Sequence, residues 1–398
     1  MKKICLAILL VLTTSCSSPP AAAPPCIIRA DEMPESWRPT GAAQKRLPAT
    51  AWSASEADEA AFAIRTGVDE MIRLYAQRPT AVKELWEDSV ASLIEVTYSG
   101  ANSPSLDTAA RDGARKNLSA LIRPYLGRDV RTGRCNEYAQ VMPLAIYAHN
   151  NYESNDERIG KMVALANASY RACGSVRAVM NIDYQPILAG AKATTDDVVF
   201  DMVIWSLLFT EAQAVPGLDV ADEVRQFPES LWRFLNTYRL TGASEYPDKG
   251  ENSAFIETAY LATHIAYLPT GNHRFPIYVE DSPVLYNFHR ENFYAVLEMG
   301  ELDLVAEFVD TLRQYGCTEE NDLQVRDGTR YLINLFHAGG DQWMTYREPG
   351  ERGQNVDNYD LVHKAWTGVL GIRSRILEKP GPGNYGGVVR EWLPPRAD

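Results

Sequence analysis

The sequence has little positive charge for its size, which argues against one large class of function. Its 398 residues include 39 lysines and arginines but 52 aspartates and glutamates, so the formal net charge is −13. A surface of this sign repels the phosphate backbone of nucleic acids. We therefore expect no nucleic-acid partner.

The motifs that mark several common enzyme classes are missing. No GxSxG elbow, Walker loop or dinucleotide fingerprint occurs, which argues against the usual serine hydrolases, nucleotide-binding proteins and Rossmann folds. No HExxH, CxxC or HxH spacing marks a metal site, and no repeat of fixed period indicates a tetratricopeptide-type array. The motifs therefore leave substrate, metal and cofactor undetermined.

The apolar run at the N-terminus is short. Residues 1–18, MKKICLAILLVLTTSCSS, combine two lysines with an apolar run and small polar residues, which is typical of an export signal and too short for a stable membrane span. The stretch TTSC resembles a bacterial lipobox, except that Thr13 stands where leucine, valine or isoleucine is usual. We predict a signal peptide at 1–15 and a lipid on Cys16, which would anchor the protein to a membrane in the periplasm or at the cell surface. Signal cleavage further along the chain is the alternative.

Four cysteines remain in the exported chain, in a compartment that permits disulfides. Cys135 opens one predicted helix and Cys173 closes the next, and these two ends lie side by side in an antiparallel hairpin. We predict a Cys135–Cys173 disulfide, with two buried thiols as the alternative. The pairing of Cys26 and Cys317 is left open.

The chain divides into a tether, a helical domain and a tail. Residues 16–50 are rich in proline, alanine and serine, which is typical of a tether. Helical periodicity dominates 51–377, and 378–398 form a predicted surface tail. We predict helices at 54–77, 79–98, 104–124, 133–150, 155–173, 194–214, 219–240, 251–267, 283–298, 301–315, 320–337 and 356–377. YVED (278–281) and GVV (387–389) are the only strand candidates. Ser53 with Glu56, then Ser154, and Thr194 or Thr195, are the expected helix caps.

This order predicts an all-α protein. Long helices joined by short turns favour antiparallel neighbours, and twelve of them suggest six hairpins. The hairpins would close into an (α/α) toroid with inner helices around a hollow; an open solenoid is the alternative.

Polar stripes on several helices predict where such a hollow would be lined. Glu257, Tyr260, His264 and Tyr267 share one helix face. Similar stripes are Asp327, Arg330 or Tyr331, Asn334 and His337; Asp357, Asp360, Lys364 and Thr367, with His363 beside them; Asp197, Asp201 and Trp205; and Asn136, Gln140 and Tyr147. A buried unpaired polar group costs roughly 1–3 kcal/mol, so we interpret these stripes as walls of a wet cleft, with ordinary solvent-facing sides as the alternative. The predicted substrate-binding residues are Glu257, Tyr260, Tyr267, His289, Asn334, His337, Asp341, Trp343, Asp360 and His363, which would place the site in the C-terminal half.

The loop TGNHRFP (270–276) indicates one chemistry for this cleft. A polysaccharide lyase needs a group that neutralises a uronate carboxylate and a base that removes the acidified proton. We predict His264 or Tyr278 as the base and Arg274 and Asn272 as the carboxylate-binding groups, acting on an acidic polysaccharide.

Structural roles are the alternative for this loop. Arg274 would then pair with Glu280 or Asp281, and His273 would be exposed. A non-catalytic binding or assembly lipoprotein of the cell envelope would use the same stripes for a ligand or a partner.

Two other chemistries remain open. A glycoside hydrolase needs two carboxyl groups roughly 5–10 Å apart, one of them kept protonated. The candidates are Asp341, Glu348, Asp357 and Asp360, with Trp343 and Trp366 as platforms for sugar rings. A zinc-dependent enzyme would draw ligands from His264, His273, His289, His337, His363 and Cys317. The segment YDLVHKAWTGVLG resembles the Asp-x-x-His stretch of zinc-bearing prenyltransferase toroids, although the accompanying Asp-x-Cys is missing.

The segment ATHIAYLPTGNHRFPIYVEDSP, followed by FHRENFYAVLEMGELDLVAEFVDTLRQYGC, resembles a family of uncharacterised bacterial exported proteins known only as a domain of unknown function. The resemblance covers roughly 250–375 and includes the pair Thr263 and His264 at the end of a helix. It implies an all-helical, toroid-like fold and an export signal. The family has no assigned catalytic residues, so none is carried over.

Overall fold

The structure is a computed structural model. It describes residues 26–39, 50–77, 79–85, 88–94, 96, 108–152, 154–246, 253–346, 358–373, 379 and 385–393. Cys16, Glu348 and Asp357 lie outside these ranges, as does the side chain of Asp360. Within them the secondary structure is helical and contains no strand, which confirms the all-α prediction.

Twelve main helices occur in the described part of the chain and correspond to the predicted ones, except that the described part of the predicted helix 79–98 contains two helices, Pro79–Glu84 and 88–94. They are α1 (Ala54–Gln77), α2 (88–94), α3 (Thr108–Leu126), α4 (Tyr138–Asn151), α5 (Glu157–Cys173), α6 (Asp196–Gln213), α7 (Asp222–Leu235), α8 (Ser253–Thr270), α9 (Pro283–Met299), α10 (Leu302–Gln314), α11 (Leu323–Ala338) and α12 (Asn358–Ile372). Shorter helices are Pro79–Glu84, Val176–Met180, Tyr184–Leu188 and Tyr385–Arg390. No described helix has both the length and the apolar character that crossing a membrane requires.

Both strand predictions are wrong. Residues 278–281 form an irregular turn, in which the carboxylate of Asp281 accepts a hydrogen bond from the backbone N–H of Tyr278. Residues 387–389 belong to the helix Tyr385–Arg390. Valine-rich stretches this short do not distinguish a strand from one buried turn of helix.

The cap of α1 follows the prediction, whereas that of α5 does not. Ser53 and Glu56 bond reciprocally: the Ser53 N–H donates to the Glu56 carboxylate at 2.8 Å, and the Glu56 N–H donates to the Ser53 hydroxyl at 3.3 Å. The cap of α5 is Asp156, which accepts from the Arg158 N–H, and not Ser154. Thr195 precedes α6 without a side-chain capping bond.

The last long helix packs against the first. Helix α12 lies against α1 and α10, α10 contacts α8 and α11, and α8 contacts α6 and α9. At the junction of α1 and α12 the side chain of Trp343 is fully buried, and its Nε1–H donates to the Ala63 carbonyl at 2.9 Å. Gly67 and Gly368 face its ring so closely that an added Cβ would lie within 3 Å of it. Trp343 is therefore a core residue, and its predicted role as a sugar-binding platform is wrong.

Replacing Trp343 with alanine should lower the free energy of unfolding by about 3 kcal/mol, because the glycines that surround the indole cannot fill the space it leaves. Urea denaturation followed by far-UV circular dichroism measures this change. Trp392, which is only partly buried, is the matched control. An equal loss for both alanine variants would contradict the central position of Trp343.

Part of the predicted tether packs against the helices. Cys26 forms a disulfide with Cys317, and the Ile27 N–H donates to the Asp322 carboxylate at 2.9 Å. The ring of Trp37 meets Tyr286 edge-on, with 5.8 Å between ring centroids. Residues 26–39 thus belong to the folded body, and the tether prediction of 16–50 is too long at its C-terminal side.

A second disulfide and the packing of the C-terminal tail hold two other parts of the chain in place. Cys135 and Cys173 form a disulfide, which confirms the predicted pairing. In the C-terminal tail, Val389 and Leu393 are buried, and Arg390 approaches the Asp281 carboxylate at 3.3 Å. The helix Tyr385–Arg390 in the tail therefore packs on α6 and α8 and reaches the 278–281 turn through Arg390.

Candidate functional site

A cavity of about 640 Å³ lies between six of the helices. Side chains from α2, α4, α6, α8, α10 and α12 line it, together with Asn272 and His273 from the loop after α8. A groove of similar volume lies on the surface between the helix Tyr184–Leu188 and α7, but no histidine lines it. Because histidines, carboxylates and aromatic rings converge in the cavity, whereas no histidine lines the groove, we take the cavity as the candidate site.

The structure brings the predicted stripe of α8 into this cavity. Glu257, Tyr260, His264 and Tyr267 all line it. The stripe of α6, which consists of Asp197, Asp201 and Trp205, lines it too. From α12 the lining includes His363, Trp366 and Thr367.

Other predicted site residues lie elsewhere. The ring of His289 is fully buried against Phe308, with Nδ1 at 2.8 Å from the Leu285 carbonyl. Tyr278 is exposed on the loop before α9. Both were predicted from residue type and spacing, which do not show whether a side chain faces the hollow, the core or the solvent.

The predicted stripe of α11 also faces away from the cavity. Asn334 and His337 are exposed, and His337 bonds to Asp341, with 2.6 Å between Nδ1 and Oδ1. Arg330 pairs with Glu56 at the start of α1. The structure therefore does not bring Asn334, His337 and Asp341 to the cavity.

The loop after α8 differs from both of its predicted arrangements. Arg274 lies 3.8 Å from the Glu211 carboxylate and pairs there, not with Glu280 or Asp281. His273 is buried, and its Nδ1 pairs with Asp310. Asn272 and His273 line the cavity, but Arg274 is not among the lining residues.

The acidic wall formed by α10 was missed. Asp303 and Glu307 line the cavity, and Asp310 holds His273. Asp303, Glu307, Asp310 and Gln314 are spaced i, i+4, i+7 and i+11 along LDLVAEFVDTLRQ, so they form a polar stripe along the helix. That stripe was the available signal.

The N-terminal half contributes more to the site than predicted. The predicted stripe of α6 supplies Asp197 and Asp201, and three further carboxylates that line the cavity were missed: they are Asp88 from α2, and Asp196 and Glu211 from the two ends of α6. Tyr238 and Thr258 donate hydrogen bonds to the carboxylate of Asp196. The prediction that the site belongs to the C-terminal half is wrong, because helices far apart in sequence meet around one hollow.

Asp303 is held in the ionised state. Burial alone would raise its pKa, but the imidazolium of His363, with Nδ1 at 3.6 Å from Oδ2, outweighs burial and places the pKa below its usual value. The hydroxyls of Tyr260 and Tyr359 donate to the same oxygen at 3.2 and 3.3 Å. Asp303 therefore carries a negative charge inside the cavity at neutral pH.

Glu307, one turn further along α10, is held in the protonated state. Burial and then the charge of Asp303 raise its pKa well above the usual value for glutamate. The distance between its Oε2 and the Thr263 hydroxyl is 2.6 Å. Two carboxyl groups on one helix thus differ in protonation because their neighbours differ.

Two histidines of the cavity also differ in charge. Burial lowers the pKa of His264 to about 4, so its ring is neutral; Nδ1 faces the Tyr260 carbonyl at 2.9 Å and must carry the proton, which leaves Nε2 as an acceptor. Burial also acts to lower the pKa of His363, but Asp303 and Asp88 together raise it to about 10. His363 is therefore a buried cation between two aspartates.

The free energy of unfolding should fall as the pH rises from about 6.5 to about 10. The folded state binds the His363 proton more tightly than the unfolded chain, so this stabilisation is complete below pH 6.5 and disappears through the higher pKa. Urea titrations across this range measure the slope, and His363→Gln should reduce it. His337→Gln, which changes an exposed histidine, is the control; an unchanged slope in His363→Gln would contradict the assignment.

The cavity does not assemble a set of metal ligands among the residues that the structure describes. The one group of three potential ligands that converges in those ranges is Cys26, Cys317 and Asp322. Its two sulfurs are bonded to each other, so they are not available to a metal. Cys317 therefore leaves the predicted zinc-ligand set, as does His289 by its position in the core.

Comparison of the chain with profiles of known protein families, with curated proteins and with solved structures found no match. The resemblance to uncharacterised exported proteins stays a prediction.

Proposed function

We propose that the helices form an (α/α) toroid. The even-numbered helices line the cavity, and α4, α6, α8, α10 and α12 each contact the next in this series. The odd-numbered helices pack outside them, with α1 against α3 and α11, and α5 against α3. The contact of α1 with α12 supports closure of the ring.

We further propose that the protein is an enzyme that cleaves glycosidic bonds in this cavity. The observation that carries the proposal is the pair Asp303 and Glu307, which are held in opposite protonation states. Two carboxyl groups with separated pKa values are the usual equipment of glycoside hydrolases. On a helix, side chains four residues apart have Cβ atoms about 5–6 Å apart, so both groups reach the same sugar residue.

In this mechanism Glu307 is the general acid. Its proton passes to the glycosidic oxygen as the bond to the anomeric carbon breaks, and the leaving sugar departs as an alcohol. Positive charge then develops on the ring, where the ionised Asp303 stabilises it. Water then adds to the anomeric carbon and gives its proton to the Glu307 carboxylate, which restores the acid for the next cycle. The neutral His264 accepts a hydrogen bond through Nε2 from a sugar hydroxyl or from this water.

The aromatic lining supports a sugar as the substrate. Trp205, Trp366, Tyr359 and Phe200 lie in the cavity wall, and flat rings of this kind stack on the faces of sugar rings. The ring of Tyr359 itself stacks on His363, with 3.9 Å between centroids. A wall that is both aromatic and acidic fits a polyol better than a purely apolar ligand.

The lining gives less support to cleavage of an acidic polysaccharide by elimination. Such a lyase neutralises a uronate carboxylate with a cation or a strong donor. No lysine or arginine lines the cavity in the described part of the chain, and Arg274 is paired with Glu211. Bringing a uronate beside the cavity carboxylates would place like charges together.

We propose as before that the protein is exported and carries a lipid anchor on Cys16. Two disulfides in the described residues support an oxidising compartment. Mass spectrometry of the membrane fraction, with Cys16→Ser as the comparison, tests the anchor.

Incubation with matched oligosaccharides tests the enzymatic proposal. The panel contains neutral, amino-sugar and uronate oligomers of equal length, and new reducing ends and unsaturated products are both measured. New reducing ends without unsaturated products are expected. Unsaturated products would support the lyase instead, and binding without any cleavage would support a non-catalytic binding lipoprotein.

A further inference from the structure

Apart from Asp196, which accepts hydrogen bonds from Tyr238 and Thr258, the carboxylates of the cavity fall into a neutralised group and an uncompensated group. Asp303 and Asp88 share the His363 cation, Glu211 pairs with Arg274, and Glu307 is protonated. The side chains of Asp303, Glu307 and Glu211 are largely buried, whereas that of Asp88 is partly exposed. They give the inner end of the site little net charge.

The uncompensated group lies where the cavity meets solvent. Asp197 and Asp201 on α6 and Glu257 on α8 line the cavity and are also exposed. None of the three forms an ion pair with any residue in the ranges that the structure describes. The pKa of Asp201 is raised by partial burial and then by the charge of Asp197, which shows that the two carboxylates repel each other.

An occupant that carries positive charge relieves this repulsion. Trp205 lies one turn beyond Asp201 on α6 and also lines the cavity, so a flat apolar face adjoins the carboxylates. A sugar ring that bears a protonated amine meets both features, because the ring stacks on the indole and the amine pairs with a carboxylate. N-acetylation removes the charge, and a uronate reverses it.

We propose that the natural substrate is an oligosaccharide of amino sugars whose amino groups are free and protonated, and that Asp197, Asp201 and Glu257 select it. This inference rests on the proposed glycosidase function, which it narrows to one class of substrate. Specificity of this kind comes from attraction to the correct charge and repulsion of the wrong one.

Binding to the Glu307→Gln variant tests the selection separately from cleavage. Glutamine keeps the shape of the protonated glutamate and blocks hydrolysis. Isothermal titration compares hexamers of glucosamine, N-acetylglucosamine and galacturonate. The glucosamine hexamer should bind about tenfold more tightly than the N-acetylated one, and added salt should reduce the difference.

To measure what the three carboxylates contribute to this preference, Asp197→Asn, Asp201→Asn and Glu257→Gln are added to the Glu307→Gln variant. This triple change should remove the tenfold preference for the glucosamine hexamer over the N-acetylglucosamine hexamer. The matched control changes three exposed carboxylates outside the cavity, Asp58, Glu291 and Glu320, to their amides. This control variant changes the net charge by the same amount and should retain the preference for the glucosamine hexamer.

The outcomes separate the two proposals. Equal affinity for the three hexamers, or spermine binding as tight as the glucosamine hexamer, would overturn the amino-sugar assignment even if the wild-type protein cleaves another sugar. Preference for the glucosamine hexamer without cleavage by the wild type would keep the selection and refute the glycosidase.

Discussion

Glu307→Gln should reduce kcat/KM by about a thousandfold on the best substrate of the panel, because general acid catalysis contributes typically 10²–10⁴ in rate. Glutamine fills the same volume and still bonds to Thr263, but it has no proton to give to the leaving oxygen. The fold should therefore persist, and circular dichroism and the urea midpoint should stay close to those of the wild type.

A change of leaving group distinguishes general acid catalysis from a general disturbance of the site. Glu307→Gln should lose much less activity on an aryl glycoside, whose phenolate leaves without protonation, than on the natural oligosaccharide. Glu291→Gln, at an exposed position of α9, is the matched control and should retain full activity. Equal losses on both substrates would remove Glu307 from the role of acid.

The pH dependence of kcat/KM should follow the titration of Glu307. Activity should be present while Glu307 is protonated and should fall as the pH rises through its raised pKa. Asp303 is one cause of that elevation, so Asp303→Asn should move the decline to lower pH, in addition to lowering the maximum. If activity declined at the same pH in Asp303→Asn as in the wild type, a group other than Glu307 would be responsible for the decline.

The sequence predicted the helices well and the direction of their faces only in part. Stripes that mix polar and aromatic residues, such as Glu257, Tyr260, His264 and Tyr267, proved to line the cavity. The stripe of α11 looked similar but lies outside, where Arg330 meets Glu56. Periodicity shows that residues share a face, and only the packing of neighbouring helices decides what that face meets.

Residue type misled the prediction where it was used alone. His289 is a histidine of the core, while Asp303 and Glu307 were overlooked because acidic residues are abundant in this chain. Their pKa values depend on burial and on His363, which is 60 residues further along. No local pattern contains that information, so the acid and its partner needed the folded arrangement.

Asp322→Ala should lower the free energy of unfolding by roughly 5 kcal/mol. The side chains of Arg290 and Asp322 are both fully buried, and the guanidinium donates to the two carboxylate oxygens at 3.0 and 2.8 Å. Removing one partner leaves a buried charge, which typically costs about 3–5 kcal/mol. The same carboxylate caps α11 by accepting from the Gln324 and Val325 N–H groups, and loss of a cap adds about 1 kcal/mol.

The N-terminal segment also depends on Asp322, because the Ile27 N–H donates to its carboxylate beside the Cys26–Cys317 disulfide. Urea denaturation under oxidising conditions keeps that disulfide and measures the side-chain effect. Asp219→Ala, which breaks the exposed pair with Arg171, is the control and should cost less than about 1 kcal/mol.

A double variant that removes both charges distinguishes the contribution of the buried ion pair to stability from that of the helix cap. Arg290→Met combined with Asp322→Leu leaves no unpaired ion, so it should be less destabilising than Asp322→Ala alone even though the cap is also lost. A double variant that is as unstable as the single one would assign the effect to the cap and the Ile27 bond. Because this network joins α9 and α11 outside the cavity, kcat/KM of the folded variants should match that of the wild type.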